Sequence, residues 1–207
     1  MKVNKNKYFD AIEKALDNAK ELIEEAEILV KYNRNARAYT LFQFSIEEVG
    51  KAFLVFQFVL NGNIEDVEET KKFFKDFTSH TVKTKTSEGI DFMFALAIEK
   101  SSYSKKLIEE FIFERVDVTV SNNYKNYSLY ASFKDEEFYK PSEIITKNML
   151  DKISQNAKFR LQVGSSFIKL GVKNYDVLFE TRNNFDEREL SEETKKKIEE
   201  LLNSKFD

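Results

Sequence analysis

The sequence predicts an all-α protein: a helical bundle of four or more helices, interrupted by one small β-hairpin or extended insertion and followed by an extra C-terminal helix. Three observations carry this reading. Gly (5) and Pro (1) are scarce in 207 residues, so few positions break a helix. Long stretches repeat apolar residues at the helical period. Only one short stretch, near residues 126–140, alternates with period two. The length fits one domain, and a 42% hydrophobic content that leans on 20 Phe and 9 Tyr is enough to fill a core.

The first helix is expected over residues 8–32. Ile12, Leu16, Ala19, Leu22, Ile23, Ala26 and Leu29 recur at helical spacing between charged residues. The Asn-rich stretch Tyr32-Asn33-Arg34-Asn35 ends it, with Asn35 placed to cap the next helix. The second helix, residues 36–60, closes at Asn61-Gly62. It is apolar nearly all round. Leu41, Phe44, Ser45, Ala52, Val55 and Val59 mark one side, and Phe42, Ile46, Val49, Phe53, Phe56 and Leu60 the other. Such a helix is buried on all sides, either at the centre of the bundle or with one face in an oligomer interface. Gly50 lies with Ile46 and Phe53, where a small residue permits close approach of another helix. Together these features point to a homodimer.

A short helix is expected from Glu65 to Phe77, with Thr78 and Ser79 as caps for a third long helix through Ile90, Phe94, Ala97 and Ile98. Residues 101–125 give no clear pattern. Tyr127 to Phe133 then alternates, Lys134-Asp135-Glu136-Glu137 can turn, and Phe138-Tyr139 can return. The aromatics there could stack bases, although packing against the bundle is the more ordinary use. Pro141-Ser142 opens a helix that ends at Gly171, and Ser191-Glu192-Glu193 begins a final one. Residues 1–171 thus read as the bundle with its inserted hairpin, and 172–207 as a helical extension packed on the same domain.

Composition excludes several function classes. With no Cys and a single His, thiolate and His-rich metal sites are out, and no cofactor is indicated. A net charge of −3 is not that of a strongly basic nucleic-acid binder. No signal peptide or apolar span is seen, so a cytoplasmic protein without membrane contact is expected.

The candidate site residues fall in two segments. Glu48 lies within an apolar stripe, where an ionised carboxylate needs a partner. Arg37 shares that stripe but lies about 16 Å along the axis, too far to pair with it. Glu47, four residues before Lys51, suits a helical ion pair on the surface. His80 has the only side chain suited by its ordinary pKa to proton transfer near neutrality. Lys75, Lys83 and Lys85 flank it and could hold a phosphate. Metal-free RNA cleavage needs a base for the 2′-hydroxyl and cations for the developing phosphorane charge, and His with Lys can supply both. A lone His flanked by lysines is more often an ordinary surface residue.

Three segments together carry a resemblance. Asn35-Ala36-Arg37-Ala38-Tyr39-Thr40-Leu41 continues to Ile46-Glu47-Glu48-Val49-Gly50-Lys51-Ala52. Ser79-His80-Thr81-Val82-Lys83 follows. Lys125-Asn126-Tyr127-Ser128-Leu129-Tyr130-Ala131-Ser132-Phe133 comes next, with Pro141 shortly after. In this order they resemble the AbiV family of abortive-infection proteins, within the HEPN class. The resemblance spans about residues 10–171. It implies a HEPN bundle, usually dimeric, that acts against phage. It also carries over Glu47, Glu48, Lys51, His80 and Lys83 as site residues. Many HEPN proteins are metal-independent RNases with an Arg-x4-6-His motif; here Lys75 stands five residues before His80, giving Lys-x4-His. The expected function is an effector that arrests the infected cell by RNA cleavage or interference with translation. His80 would be the acid/base, Lys75, Lys83 and Lys51 the phosphate cations and Glu48 the orienting carboxylate. Its partners would be RNA or a ribosome-associated target and a phage-encoded trigger protein. The alternative is a non-catalytic module that binds a phage or host protein. A third, weaker reading is a nucleotide-binding protein paired with a nucleotidyltransferase.

Overall fold

The computed structural model describes residues 5–80, 82, 83, 86 and 118–181. The elements are α1 (Lys5–Lys31), α2 (Asn35–Asn61), α3 (Val67–Thr78), α4 (Val118–Leu129), β1 (Ser132–Lys134), β2 (Glu137–Tyr139), α5 (Pro141–Ile144), α6 (Lys147–Lys173) and α7 (Tyr175–Thr181). Among the described residues the architecture is a helical bundle with one two-stranded hairpin. The helices expected near residues 90–100 and after Ser191 lie outside the described residues.

α1 buries Ile12, Leu16, Ala19, Ile23 and Ala26, a single stripe stepping by three and four residues. That stripe lies antiparallel on α2. Tyr8 meets Phe58 near one end, with ring centroids 5.8 Å apart. At mid-helix the Ser45 hydroxyl donates to the Ala19 carbonyl at 2.7 Å. The reversal between them is a Schellman motif. Arg34 N–H donates to Leu29 O at 2.8 Å and Asn33 N–H to Val30 O at 2.9 Å. Asn33 takes the left-handed conformation at φ 59°, which asparagine tolerates better than most residues. Asn35 is the first residue of α2 rather than its cap. Arg34 holds the cap position without a side-chain bond.

α2 is the central helix, with sixteen of its 27 residues buried. α1 covers one side, and α6, running in the same direction as α2, covers another. Near its C-terminal end Val55, Phe56 and Val59 join Ile12, Phe73, Ile168 and Tyr175. Near its N-terminal end Tyr39, Phe42 and Ile46 join Ile23, Ile144, Leu150 and Ile153. Both ends of α2 are thus packed within one chain, whereas Leu41, Phe44, Glu48 and Lys51 form a strip that is only partly buried.

Gly171 does not stop α6. It is buried within the helix, where a Cβ would come within 2.4 Å of the Phe56 ring. The single helix expected from Pro141 is broken in two: α5 ends at Ile144, and α6 starts afresh with Thr146 accepting from Met149 N–H at 3.3 Å. α3 begins at Val67 rather than Glu65, where Asp66 caps it by accepting from Glu68 and Glu69 N–H at 2.8 and 2.9 Å.

The hairpin is shorter than its sequence pattern. Tyr127–Leu129 form the last turn of α4, and pairing begins only at Ser132 opposite Tyr139. Helix wins there because Lys125 and Ser128, three apart, both face inward. The Thr40 and Ser128 hydroxyls bond across α2 and α4 at 2.7 Å. The two-residue loop has Asp135 and Glu136 at φ 52° and 70°. Two consecutive positive φ values make a type I′ turn, whose twist matches the strands.

Candidate functional site

Glu47 is the centre of the site. It lies on the face of α2 that meets α4, and its side chain is only 4% exposed. Three cationic or titratable groups from two other segments converge on it. Lys125 of α4 donates to Oε1 at 2.8 Å. His80 Nδ1 lies 2.5 Å from Oε2. Lys83 Nζ is 3.8 Å from the same oxygen, an ion pair rather than a hydrogen bond. Lys125 also stands over the Phe44 ring at 5.8 Å, so the ammonium has an anion and a π-face together.

Local sequence explains how His80 and Lys83 reach this point together. After α3, Ser79 caps a new helical turn. Its hydroxyl accepts from Val82 N–H at 3.3 Å and its carbonyl from Lys83 N–H at 3.2 Å. His80 and Lys83 are three apart in that turn and so share a face. The turn sits directly on Gly50, three residues past Glu47. A Cβ on Gly50 would lie 2.0 Å from the Lys83 carbonyl oxygen. Gly50 thus serves an intrachain approach, not the helix–helix contact between subunits that its place on α2 suggests.

The electrostatics follow from burial. Lys83 is almost fully enclosed, and that loss of solvation pushes its ammonium below the usual lysine range. The Glu47 carboxylate opposes the shift, Lys51 adds to it, Glu48 opposes it and Lys125 adds to it. A carboxylate can only accept, so the His80 proton on this contact belongs to Nδ1. The basic nitrogen of the neutral ring is then Nε2, on a side chain that remains 57% exposed. A buried carboxylate fixing one ring nitrogen while the ring keeps solvent access is the arrangement that prepares an imidazole for proton transfer. Among the described residues, no three His, Asp or Glu side chains are grouped to hold a metal ion.

The two adjacent glutamates exchange the places expected of them. Glu47 is the buried residue and meets His80, whereas Glu48 is half-buried and pairs with Lys51, three residues on. The described contacts thus pair His80 with Glu47 and Lys51 with Glu48, the reverse of the expected assignment. Lys51 also lies 5.9 Å from the Phe77 ring. Lys83 is buried and faces Glu47 rather than open solvent. Lys75 is exposed in the last turn of α3 and makes no ion pair with Glu47 or Glu48. Lys125 is absent from the expected site. Its only signal is its place at the head of the third family-like segment, because nothing in its neighbourhood marks it as buried.

A family model described as AbiV, in the HEPN class, matches residues 7–162. That is most of the chain, and it includes Glu47, Gly50, His80, Lys83 and Lys125. The chain belongs to the AbiV family. Membership implies abortive-infection defence against phage, and the match runs from α1 into the middle of α6. Neither a curated protein nor a solved structure matches the chain. No helix among the described residues of this AbiV-family chain is long and apolar enough to cross a membrane.

Proposed function

We propose that this AbiV-family protein is an effector that arrests the infected cell by metal-independent RNA cleavage, with His80 as the acid/base. The observation that carries the reading is His80 Nδ1 at 2.5 Å from a buried Glu47 carboxylate that Lys125 holds at 2.8 Å. Glu47 replaces Glu48 as the orienting carboxylate. His80 Nε2 takes the proton of a ribose 2′-hydroxyl. The 2′-oxygen then attacks the adjacent phosphorus and forms a 2′,3′-cyclic phosphate as the bond to the 5′-oxygen breaks, and that oxygen collects the proton from the protonated His80 through water, which returns the ring to its neutral form. Lys75, five residues before His80, and half-buried Lys51 are the cations that can approach the phosphate. Their charge balances the phosphorane as it forms. The homodimer, an RNA or ribosome-associated target, a phage-encoded trigger, a cytoplasmic site of action and a 172–207 extension packed on the bundle belong to the same reading.

A second reading is favoured by a different observation. Phe133 and Phe138 of the hairpin are 68% and 62% exposed. Exposed aromatics beside one another suit a non-catalytic module that docks on a phage or host protein.

Induced expression of the wild type beside His80→Ala, with growth and total RNA followed, separates the two. Loss of a general acid/base removes about 10²- to 10⁴-fold in rate, so RNA fragments are expected from the wild type only. Arrest that survives the substitution with RNA intact would overturn the nuclease reading and favour docking.

A further inference from the structure

Glu47 has two oxygens, and they serve different elements. Oε1 accepts from Lys125 on α4, and Oε2 faces His80 on the Ser79-capped turn. Lys83, at 3.8 Å, balances charge without fixing direction. Among the described residues, Lys125 is therefore the cation that holds the carboxylate with a hydrogen bond from the side opposite the imidazole. Without it the nearest remaining cation among the described residues is Lys83, on the oxygen that His80 uses. The carboxylate would turn toward that ammonium and give up the ring. Gly50 acts on the other partner. Its missing Cβ is what lets the Lys83 carbonyl lie against α2. His80 rides on the same turn, so a side chain at position 50 lifts both from Glu47.

We infer that Lys125 and Gly50 are positioning residues for His80: Lys125 by aiming Glu47, and Gly50 by seating the turn that carries the imidazole. Neither reaches a substrate. The inference rests on the proposed acid/base role of His80, and it extends the site to α4.

The test uses the single histidine of the chain, whose ring nitrogens give one uncrowded set of resonances in a 15N spectrum of the full-length protein. In the wild type above the ring's titration the signals should report an Nδ1-protonated tautomer, because Glu47 can only accept. In Lys125→Met and in Gly50→Ala, each verified as helical by circular dichroism, they should move toward the mixed tautomers of a free imidazole. Lys125→Arg keeps a charged donor and should restore the wild-type pattern. A substitution that merely loosened the fold would not be rescued by arginine with the tautomer intact. Should Lys125→Met fail to fold, Lys125→Gln takes its place. Glu47→Gln is recorded beside them. If it shifts the tautomer while Lys125→Met and Gly50→Ala do not, the positioning roles are overturned and the His80–Glu47 pair stands. If Glu47→Gln leaves the ring unchanged as well, the pair itself is absent and the nuclease reading loses its basis.

Discussion

The Glu47 cluster and the hairpin tip break opposite rules of a folded surface. The first takes a carboxylate and two ammonium groups out of water. The second leaves two phenylalanines in water, packed edge to face with centroids 4.9 Å apart. Each departure is held by something specific. Around Glu47 it is charge balance, since burying one carboxylate is tolerable only with cations at hand. At the tip it is a tight turn whose two left-handed residues, Asp135 and Glu136, fix the strands and so project the rings. The cluster is therefore expected to matter for stability and for function together, whereas the tip should matter for function alone.

Removing the charge at Glu47 should have the largest effect. Glu47→Ala leaves Lys83 and Lys125 enclosed without their counter-ion, and a loss of about 3–5 kcal/mol is expected. A urea midpoint close to the wild type would mean that the cluster is not held electrostatically, and the contrast with the tip would collapse. Gly50→Ala comes next. Alanine favours the helix by up to about 1 kcal/mol, but the backbone oxygen of Lys83 cannot yield as a side chain could. A net loss of about 1–3 kcal/mol is expected from overpacking. A gain in melting temperature would show that the turn shifts freely.

The third effect depends on pH. Burial lowers the pKa of Lys83 in the folded protein, so between that value and about 10.4, the free lysine pKa, the unfolded chain binds more protons than the folded one. Stability contributed by this group therefore rises with pH through that window and is lowest below it. Relative to Lys83→Met, the wild type should gain stability as the pH is raised toward 10. A pH-independent difference between the two melting curves would contradict the enclosure of Lys83. The smallest effect should come from Phe133→Ser with Phe138→Ser. Exposed positions usually shift stability by about 0.5 kcal/mol or less, with the ring pair adding about 0.5–1.5 kcal/mol. Unchanged protection against phage in that double variant would remove the docking reading. Lost protection with the fold intact would support it.

The helical plan was legible because periodicity and capping are local. The α1 stripe, the stop at Asn33 and the Asp135–Glu136 turn all depend on neighbours within a few residues. The end of α4 was not, because Tyr127 to Leu129 alternates like a strand and only Ser128 against Thr40 makes it helix. Gly171 misled for a related reason. A glycine that ends a helix and one that admits a ring from a neighbour look the same in sequence.

By itself the sequence determined that α2 is largely buried, that Glu47, Glu48, Lys51, His80 and Lys83 belong to the informative segments, and that the chain resembles the AbiV family. Only the tertiary structure decided which of the two glutamates is enclosed. Adjacent residues on a helix point about 100° apart, and an amphipathic stripe would normally say which one faces inward. The face of α2 that stays partly exposed, Arg37, Leu41, Phe44, Glu48 and Lys51, carries apolar residues among its charges, so the local pattern phased the helix only weakly. The choice fell to Lys125, 78 residues away, and to the backbone of Lys83 resting on Gly50.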